Sequence, residues 1–193
     1  MVIYTTGREG RCAADLESVF YLQKRTVFLT GEITDDVSTE LIRQILYLAD
    51  LNREPIRFCI NSPGGSVSAG LALYDVMKNC GCDIITICGG TAASMAAFLL
   101  ASGTPGKRYC MPHAEVMIHQ IMGGAQGQAA DIEISAEHIR RVRNTVNALL
   151  AQMTGQTAEK IRKDTDRNYY LNAEEARQYG LIDHILSETL GIS

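Results

Sequence analysis

The chain contains 193 residues, of which 46% are hydrophobic and 21% are charged, and its formal net charge is −4. This length and composition predict one globular domain over residues 1–193 with a substantial core, and they exclude disordered and fibrous proteins. No block of like charge occurs, which excludes the basic footprint of a nucleic-acid-binding protein.

Strand and helix patterns alternate along the chain. An apolar strand, TVFLTG at 26–31, precedes an amphipathic helix at 36–52. The further predicted strands are 55–62, 82–90, 107–110, 115–120 and 181–186, and the further predicted helices are 66–79, 93–102, 132–153 and 172–180. In the last helix, Asn172 is a predicted cap and Gly180 a predicted end. This alternation predicts an α/β fold with a mostly parallel sheet.

The cysteine pattern and the N-terminal residues indicate where in the cell the protein works. Six cysteines are present, including a C-G-C at 80–82, but paired C-x-x-C motifs are absent, so neither a metal nor a cofactor is predicted. Cys59 and Cys88 lie in apolar runs, where a free cysteine behaves as a small hydrophobe. The N-terminal region lacks a signal core and no apolar run is long enough for a bilayer, which predicts a soluble cytoplasmic protein without membrane association.

One serine, Ser94, lies within the small and apolar stretch GGTAASMAAFLL. It follows a predicted strand and opens a predicted helix, so free backbone N–H groups and the positive end of the helix dipole lie beside its side chain. That setting suits an oxyanion and therefore a nucleophilic serine. A serine that opens a helix is more often a cap or a packing residue, and G-x-S-x-G is absent, so this stretch alone leaves both interpretations open.

Two further segments favour the nucleophile. NSPGGSV is another strand-to-helix connection, and its paired glycines permit free N–H groups to face a carbonyl oxygen. In MIHQ, His119 ends an apolar strand before a glycine-rich segment. His138 and His184 have the pattern of surface residues, whereas His113 lies in a predicted turn and is a weaker alternative to His119.

Four segments in order resemble the proteolytic subunit family of Clp proteases, which are self-compartmentalised serine peptidases. They are INSPGGSV, TAASMAAFLLASGTPGKRYCMPHAEVMIHQ, GGAQGQAADIEI and MTGQTAEKIRKDTDRNYYLNAEEARQYGLIDHI, within residues 20–187. The resemblance implies a crotonase-like α/β fold with a head domain, an N-terminal segment at 1–19 and a long handle helix in a handle region at 121–153. It also implies a homo-oligomer of two stacked heptameric rings around a chamber, which receives unfolded proteins from an AAA+ unfoldase ATPase.

The resemblance also implies roles for individual residues. Carried over by position, Ser94 is the nucleophile, His119 is the general base, and the backbone N–H groups of Gly65 and Met95 form the oxyanion hole. A neutral hydroxyl attacks poorly, so the base takes its proton and returns it to the leaving amine while the oxyanion donors stabilise the tetrahedral intermediate.

The third member of the expected triad departs from the family. The family usually has aspartate in the loop before the last helix, and DTDRNYYL has Asn168 there. An asparagine carbonyl can orient His119 but lacks the negative charge that stabilises its imidazolium form, which predicts a slow peptidase. The preceding Asp166 and Arg167 match the pair that makes ring-to-ring salt bridges in the family.

Two further departures concern partners. The family often has aromatic side chains on the strand before INSPGG, where this chain has Arg57, Phe58 and Cys59, so altered ATPase docking is expected. The N-terminal segment is expected to be shorter than the family's usual opening. These features and Asn168 keep open a weakly active or structural ring subunit in a mixed complex with a more active paralogue. A crotonase-type enzyme acting on acyl-CoA is a further alternative, because it would share the fold and the paired glycines.

Overall fold

The computed structural model describes residues 2–7, 10–124 and 126–186. Residues 1, 8 and 9 of the predicted N-terminal segment and residues 187–193 of the predicted domain lie outside the described residues. The strands are β1 (Val2–Gly7), β2 (Gly10–Asp15), β3 (Thr26–Ile33), β4 (Ile56–Gly65), β5 (Ile84–Ala93), β6 (Arg108–Cys110), β7 (Glu115–Ile118), β8 (Tyr169–Asn172) and β9 (His184–Ile185). The helices are α1 (Leu16–Ser18), α2 (Asp35–Leu51), α3 (Val67–Asn79), α4 (Met95–Ala101), α5 (Ala129–Thr154), α6 (Ala158–Asp164) and α7 (Ala173–Tyr179), with a π-helical segment at Val19–Gln23.

A mostly parallel sheet forms the centre of the described chain. Its strand order is β3-β4-β5-β6-β9, and β7 pairs with the last residues of β5 and with β8. Within this sheet only β7 and β8 run antiparallel among the described pairs. Parallel neighbours need crossover connections, which the intervening helices provide. The predicted α/β fold with a parallel sheet and a long helix is therefore confirmed.

Apolar faces of the helices cover this sheet and form the core. In α2 the buried apolar positions are Leu41, Ile45, Leu48 and Ala49, spaced for one helical face as the sequence predicts. Every residue of α4 is buried, and this helix packs against β4 and β5. A helix that is apolar all round belongs in a core, so the start of α4 is held firmly against the sheet.

Several elements differ from the sequence prediction. The hairpin of β1 and β2, the short helix α6 and the strand β8 were not predicted, because none has a long periodic apolar pattern. The strand predicted at 181–186 is confined to β9, and the prediction is wrong for residues 181–183. Asp183 in this segment instead accepts hydrogen bonds from the backbone and side chain of Arg108, which fixes it outside the strand ladder.

Arg108 forms a mostly buried ion pair that joins four parts of the chain. Its Nη2 lies 2.6 Å from Oδ1 of Asp183, and the two side chains are only 9% and 19% exposed. Its Nη1 donates to the carbonyls of Ala101, Met153 and Gly180, so one guanidinium contacts the ends of α4, α5 and α7. Burial raises the pKa of Asp183, but the hydrogen bonds and charge of Arg108 outweigh that effect and hold the pKa below its usual value.

Arg108→Met is expected to lower the free energy of unfolding by about 3–5 kcal/mol, because it leaves a buried carboxylate without its partner. In the wild type, the stabilisation that the Arg108–Asp183 pair provides is present above a pH of about 4, the pKa of an aspartate in the unfolded chain. It is lost as the pH falls through the lower pKa that Asp183 has in the folded protein. Urea denaturation at several pH values measures both effects. Lys107→Met, at the exposed pair with Asp83, is the control and should cost less than about 1 kcal/mol. Equal losses in both variants would contradict the assignment.

Candidate active site

Ser94 occupies the sharp connection between β5 and α4. Its backbone has φ 56° and ψ −122°, and its side chain makes no capping hydrogen bond, so the helix-cap interpretation is wrong. Within the described residues only Arg25 and Ser94 combine a side chain with positive φ. The Ser94 N–H donates to the Met117 carbonyl at 2.8 Å, which ties the turn to β7. Such a conformation costs energy and is typical of functional sites.

Strand pairing brings His119 and Asn168 together. In the antiparallel pair of β7 and β8, Ile118 lies opposite Tyr169, so the next residues outward are His119 and Asn168. His119 Nε2 lies 2.8 Å from the Ser94 hydroxyl, and His119 Nδ1 lies 3.2 Å from Asn168 Oδ1. An amide oxygen only accepts, so Nδ1–H donates to Asn168 and Nε2 is left to accept from the hydroxyl.

The other histidines lie away from Ser94. His113 is exposed in the turn before β7. His138 is exposed on α5, where its Nδ1 lies 3.2 Å from a guanidinium nitrogen of Arg141, and the ring of His184 packs on Tyr109. The expectation that His138 and His184 are surface residues is confirmed, and the weaker alternative His113 makes no contact with the serine.

A small pocket adjoins the serine. Its volume is about 130 Å³, and its lining includes Gly65, Ser94, Met95, His119 and, from the core and α5, Phe98, Ile118, Val146, Asn147 and Leu150. The first residues of a helix have N–H groups without intrahelical acceptors, and Met95 is the first residue of α4. The Ser66 N–H donates to the Ile33 carbonyl of β3, which fixes the chain directly after Gly65.

Gly64, which is not among the predicted site residues, packs directly against Ser94. Its φ is +94°, and a Cβ built there would lie 2.6 Å from the Ala93 carbonyl oxygen, 2.8 Å from Ser94 Cβ and 3.0 Å from Met95 N. These neighbours are backbone atoms and the root of the serine side chain, so none can move without displacing the site. The paired glycines in NSPGGSV were a usable signal. The first, Gly64, permits this close approach, and the backbone N–H of the second, Gly65, is an expected donor of the oxyanion hole.

Gly64→Ala is therefore expected to lower peptide hydrolysis at least about tenfold, equivalent to about 1.4 kcal/mol of barrier, by displacing Ser94. Gly89→Ala is the matched control, because a Cβ there meets its nearest neighbour, Met111 Cγ, at 3.9 Å. Steady-state hydrolysis of a fluorogenic peptide, with circular dichroism to verify folding, measures the effect. A folded Gly64→Ala protein as active as Gly89→Ala would refute the close-approach argument.

Asp166 and Arg167 precede Asn168 in an exposed loop. Their own side chains contact each other at 3.4 Å, and both are largely exposed. The Asp166 carbonyl accepts from Gln120 Nε2 at 3.0 Å, which links this loop to the residue after His119. The buried Thr165 anchors the start of the loop by donating to the Ile161 carbonyl.

A larger cavity of about 520 Å³ lies away from the serine. Arg57 and Cys59 of β4 line it together with apolar side chains that include Phe20, Phe28 and Met111. Phe58, between them, is fully buried on the opposite face of the strand. Burial raises the pKa of Cys59 to about 11, against the smaller effect of the Arg57 charge. On the strand that is expected to dock the ATPase, Arg57 and Cys59 therefore face this cavity, whereas Phe58 faces the core.

Comparison with known proteins identifies the family. The model of the family described as Clp protease matches residues 8–189. The chain belongs to the Clp protease family. Its relatives include the ATP-dependent Clp protease proteolytic subunit 2 of Prochlorococcus marinus strains MIT 9312 and NATL2A, each 55% identical over 85% of this chain and over 82% and 83% of the relative. The same subunit of strain CCMP1986 is 54% identical over 85% of this chain and 83% of the relative.

These matches confirm the predicted family, its crotonase-like fold and a Clp-type serine peptidase. They favour a peptidase over the acyl-CoA alternative, because both the family and the relatives are named for proteolysis. In the part of the Clp protease chain that the structure describes, no helix has the length and apolar character needed to span a membrane.

Proposed function

We propose that this chain is the proteolytic subunit of an ATP-dependent Clp protease and cleaves peptide bonds with Ser94 as nucleophile, His119 as general base and Asn168 as the residue that orients His119. The observation that carries the proposal is the continuous contact from the Ser94 hydroxyl to His119 Nε2, at 2.8 Å, and from His119 Nδ1 to Asn168 Oδ1, at 3.2 Å. These separations permit proton transfer without a large movement of either side chain.

The proposed reaction begins with attack of Ser94 Oγ on a peptide carbonyl while His119 Nε2 takes the hydroxyl proton. The tetrahedral oxyanion accepts hydrogen bonds from the N–H groups of Gly65 and Met95, which stabilise it by a few kcal/mol each. His119 then gives its proton to the leaving amine. In the second half of the reaction, water attacks the acyl-enzyme while His119 takes a proton from that water, and His119 then returns the proton to Ser94 Oγ.

Asn168 supports a second candidate, a weakly active or structural ring subunit in a mixed complex with a paralogue. Asn168 orients His119 but carries no negative charge to stabilise the imidazolium ion. The aligned geometry nevertheless supports a working peptidase. A subunit with a purely structural role in the ring would not need Ser94 in a strained conformation that contacts His119. A slow enzyme satisfies both observations.

The proposed assembly is two stacked heptameric rings in the cytoplasm, fed with unfolded proteins by an AAA+ ATPase. The word ATP-dependent in the relatives' names supports the ATPase. The long helix α5 supports the ring contact: among its residues only Leu150 is fully buried, while Ile132 and Ile134 are 41% and 68% exposed. Apolar side chains exposed along a helix are typical of an interface with another subunit.

Arg167→Glu is expected to convert double rings into single rings and to lower activity, because it places like charge beside Asp166 at the proposed ring contact. Arg177→Glu is a matched control, since Arg177 forms an exposed pair with Glu174 on α7. Size-exclusion chromatography with light scattering measures ring number. Double rings in both variants would exclude Asp166 and Arg167 from the contact.

The proposed function is tested by treating the wild-type protein with a serine-directed fluorophosphonate. The reagent should modify Ser94 alone, and mass spectrometry should find the adduct in the tryptic peptide of residues 79–107. Peptide hydrolysis should fall in proportion to the modified fraction. Full hydrolysis after complete modification of Ser94, or modification of a different serine, would refute the proposal.

A further inference from the structure

The C-G-C segment places two thiols side by side at the end of α3. Cys80 caps this helix, Gly81 turns the chain with φ +76°, and Cys82 precedes β5. The Cys80 side chain is 8% exposed, whereas Cys82 is partly exposed. Burial, as the largest effect, raises the pKa of Cys80.

A buried guanidinium lies beside the more exposed sulfur. Nη2 of Arg25 is 3.8 Å from Sγ of Cys82, and Arg25 is only 9% exposed. Its other hydrogen-bond partners in the described chain are the backbone carbonyls of Leu48, Asn52, Glu54 and Pro55. None of these carbonyls carries a full charge, and no salt bridge to Arg25 occurs among the described residues. The Cys82 thiol also donates to the Asn52 carbonyl at 3.5 Å.

We propose that Cys80 and Cys82 form an oxidisable dithiol site whose substrate is a hydroperoxide. The Cys82 sulfur attacks the peroxide oxygen, the O–O bond breaks, and an alcohol, or water from hydrogen peroxide, leaves with the thiol proton. The Cys80 sulfur then attacks the Cys82 sulfenic acid, the S–S bond forms, and water leaves with the second proton. Two thiols and one hydroperoxide thus give one disulfide, one alcohol and one water.

Geometry and charge favour this order of events. Negative charge develops on the attacking sulfur, and Arg25 lies where it stabilises that charge. A disulfide needs Cα atoms about 4.4–6.8 Å apart, which residues two positions apart in a turn satisfy. Cys80 Sγ lies 3.6 Å from the Cys82 carbonyl oxygen and 3.6 Å from the Met77 carbonyl oxygen, so the thiol is close to the turn that carries Cys82.

Other cysteines of the chain supply internal references. Cys88 and Cys110 lie opposite each other on β5 and β6, but both are 0% exposed, so a peroxide cannot reach them. Cys59 is partly buried like Cys82 and lies near the Arg57 charge, but its neighbours across the sheet, Phe28 and Ile87, are not thiols. The site is therefore distinguished by the combination of access, a second thiol and a cation.

The experiment treats the folded Cys12→Ser protein with hydrogen peroxide, quenches it, and alkylates it under denaturing conditions before tryptic digestion. The peptide of residues 79–107 contains Cys80, Cys82 and Cys88. We expect it to lose two hydrogens, to keep Cys88 alkylated, and to be oxidised at least about tenfold faster than Cys59. In the same background, Cys80→Ser should accumulate a Cys82 sulfenic acid that a 1,3-dione reagent traps, whereas Cys82→Ser should give no adduct at Cys80.

Oxidation of Cys82 at the rate of Cys59, a disulfide that includes Cys88, or equal trapping in both serine variants would each overturn the proposal. Circular dichroism verifies that the variants are folded. The rate comparison needs only the Cys12→Ser protein to fold, so failure of the further Cys80→Ser or Cys82→Ser variant to fold leaves the proposal testable. None of these measurements depends on peptidase activity.

Discussion

Ser94→Ala is expected to lower peptide hydrolysis by at least about 10²-fold and to abolish fluorophosphonate labelling. Loss of the nucleophile in a serine protease with a complete triad costs about 2 × 10⁶ in kcat, and the cost is smaller here because the triad members act as a unit and Asn168 already slows the enzyme. Here the change also removes the hydrogen bond to His119 Nε2. The variant should fold normally, because alanine fits the space that serine occupies and no capping bond is lost.

Hydrolysis of a fluorogenic peptide and mass spectrometry of the labelled protein measure both effects. Ser68→Ala is the control, since Ser68 is an exposed serine on α3 whose hydroxyl contacts only Ser66 among the described residues. That variant should keep wild-type activity and labelling. A Ser94→Ala protein that still hydrolyses peptide at more than about 1% of the wild-type rate would exclude Ser94 as the nucleophile.

Asn168→Asp is expected to raise peptide hydrolysis by at least about tenfold, or about 1.4 kcal/mol of barrier. The opposite change at this position of a serine protease costs about 10⁴ in kcat, which bounds the gain from above. In this chain Asn168 Oδ1 already accepts from His119 Nδ1 at 3.2 Å, so orientation is not the missing contribution. The added carboxylate supplies the charge that stabilises the imidazolium ion, and it removes the amide flip that would present a donor to Nδ1.

The comparison needs Asn168→Ala beside Asn168→Asp, with ring size monitored by light scattering. Alanine removes the carbonyl that orients His119, so its rate should fall below that of the wild type while the aspartate variant rises above it. Ring size should stay unchanged in both, because Asn168 precedes β8 and is distinct from the proposed ring contact at Asp166 and Arg167. Flat rates in both variants would mean that another residue orients His119.

Much of the fold was predictable because its signals are local. The apolar period of α2 and the capping residues of α7 each act within a few residues, and the structure has both. In α7 Asn172 and Glu175 form the reciprocal capping pair that their spacing predicts. The short edge strand β8 was not predicted and β9 was predicted too long, since a strand of a few residues is defined by its partner more than by its own pattern.

The candidate site was predictable in membership but not in geometry. The resemblance to the Clp protease family named Ser94, His119 and Asn168 from short motifs, and the paired glycines indicated close backbone approach. Nothing in the local pattern of DTDRNYYL shows that this loop meets the end of the MIHQ strand. That meeting depends on the register in which Ile118 pairs with Tyr169, and a slip of one residue would turn Asn168 to the other face.

The sequence by itself determined the family, the α/β class and the residue types available for catalysis, because those follow from composition, periodicity and motifs read along the chain. The tertiary structure alone decided the conformation of Ser94, the role of Gly64 and the contact between Arg25 and Cys82. Each of these depends on parts of the chain that are distant in sequence, and only packing brings them within a few ångströms. The paired glycines indicate a close approach at Gly64, but only the fold makes Ala93, Ser94 and Met95 its neighbours. The charge beside Cys82 acts over a distance in space, so no pattern along the chain predicts it.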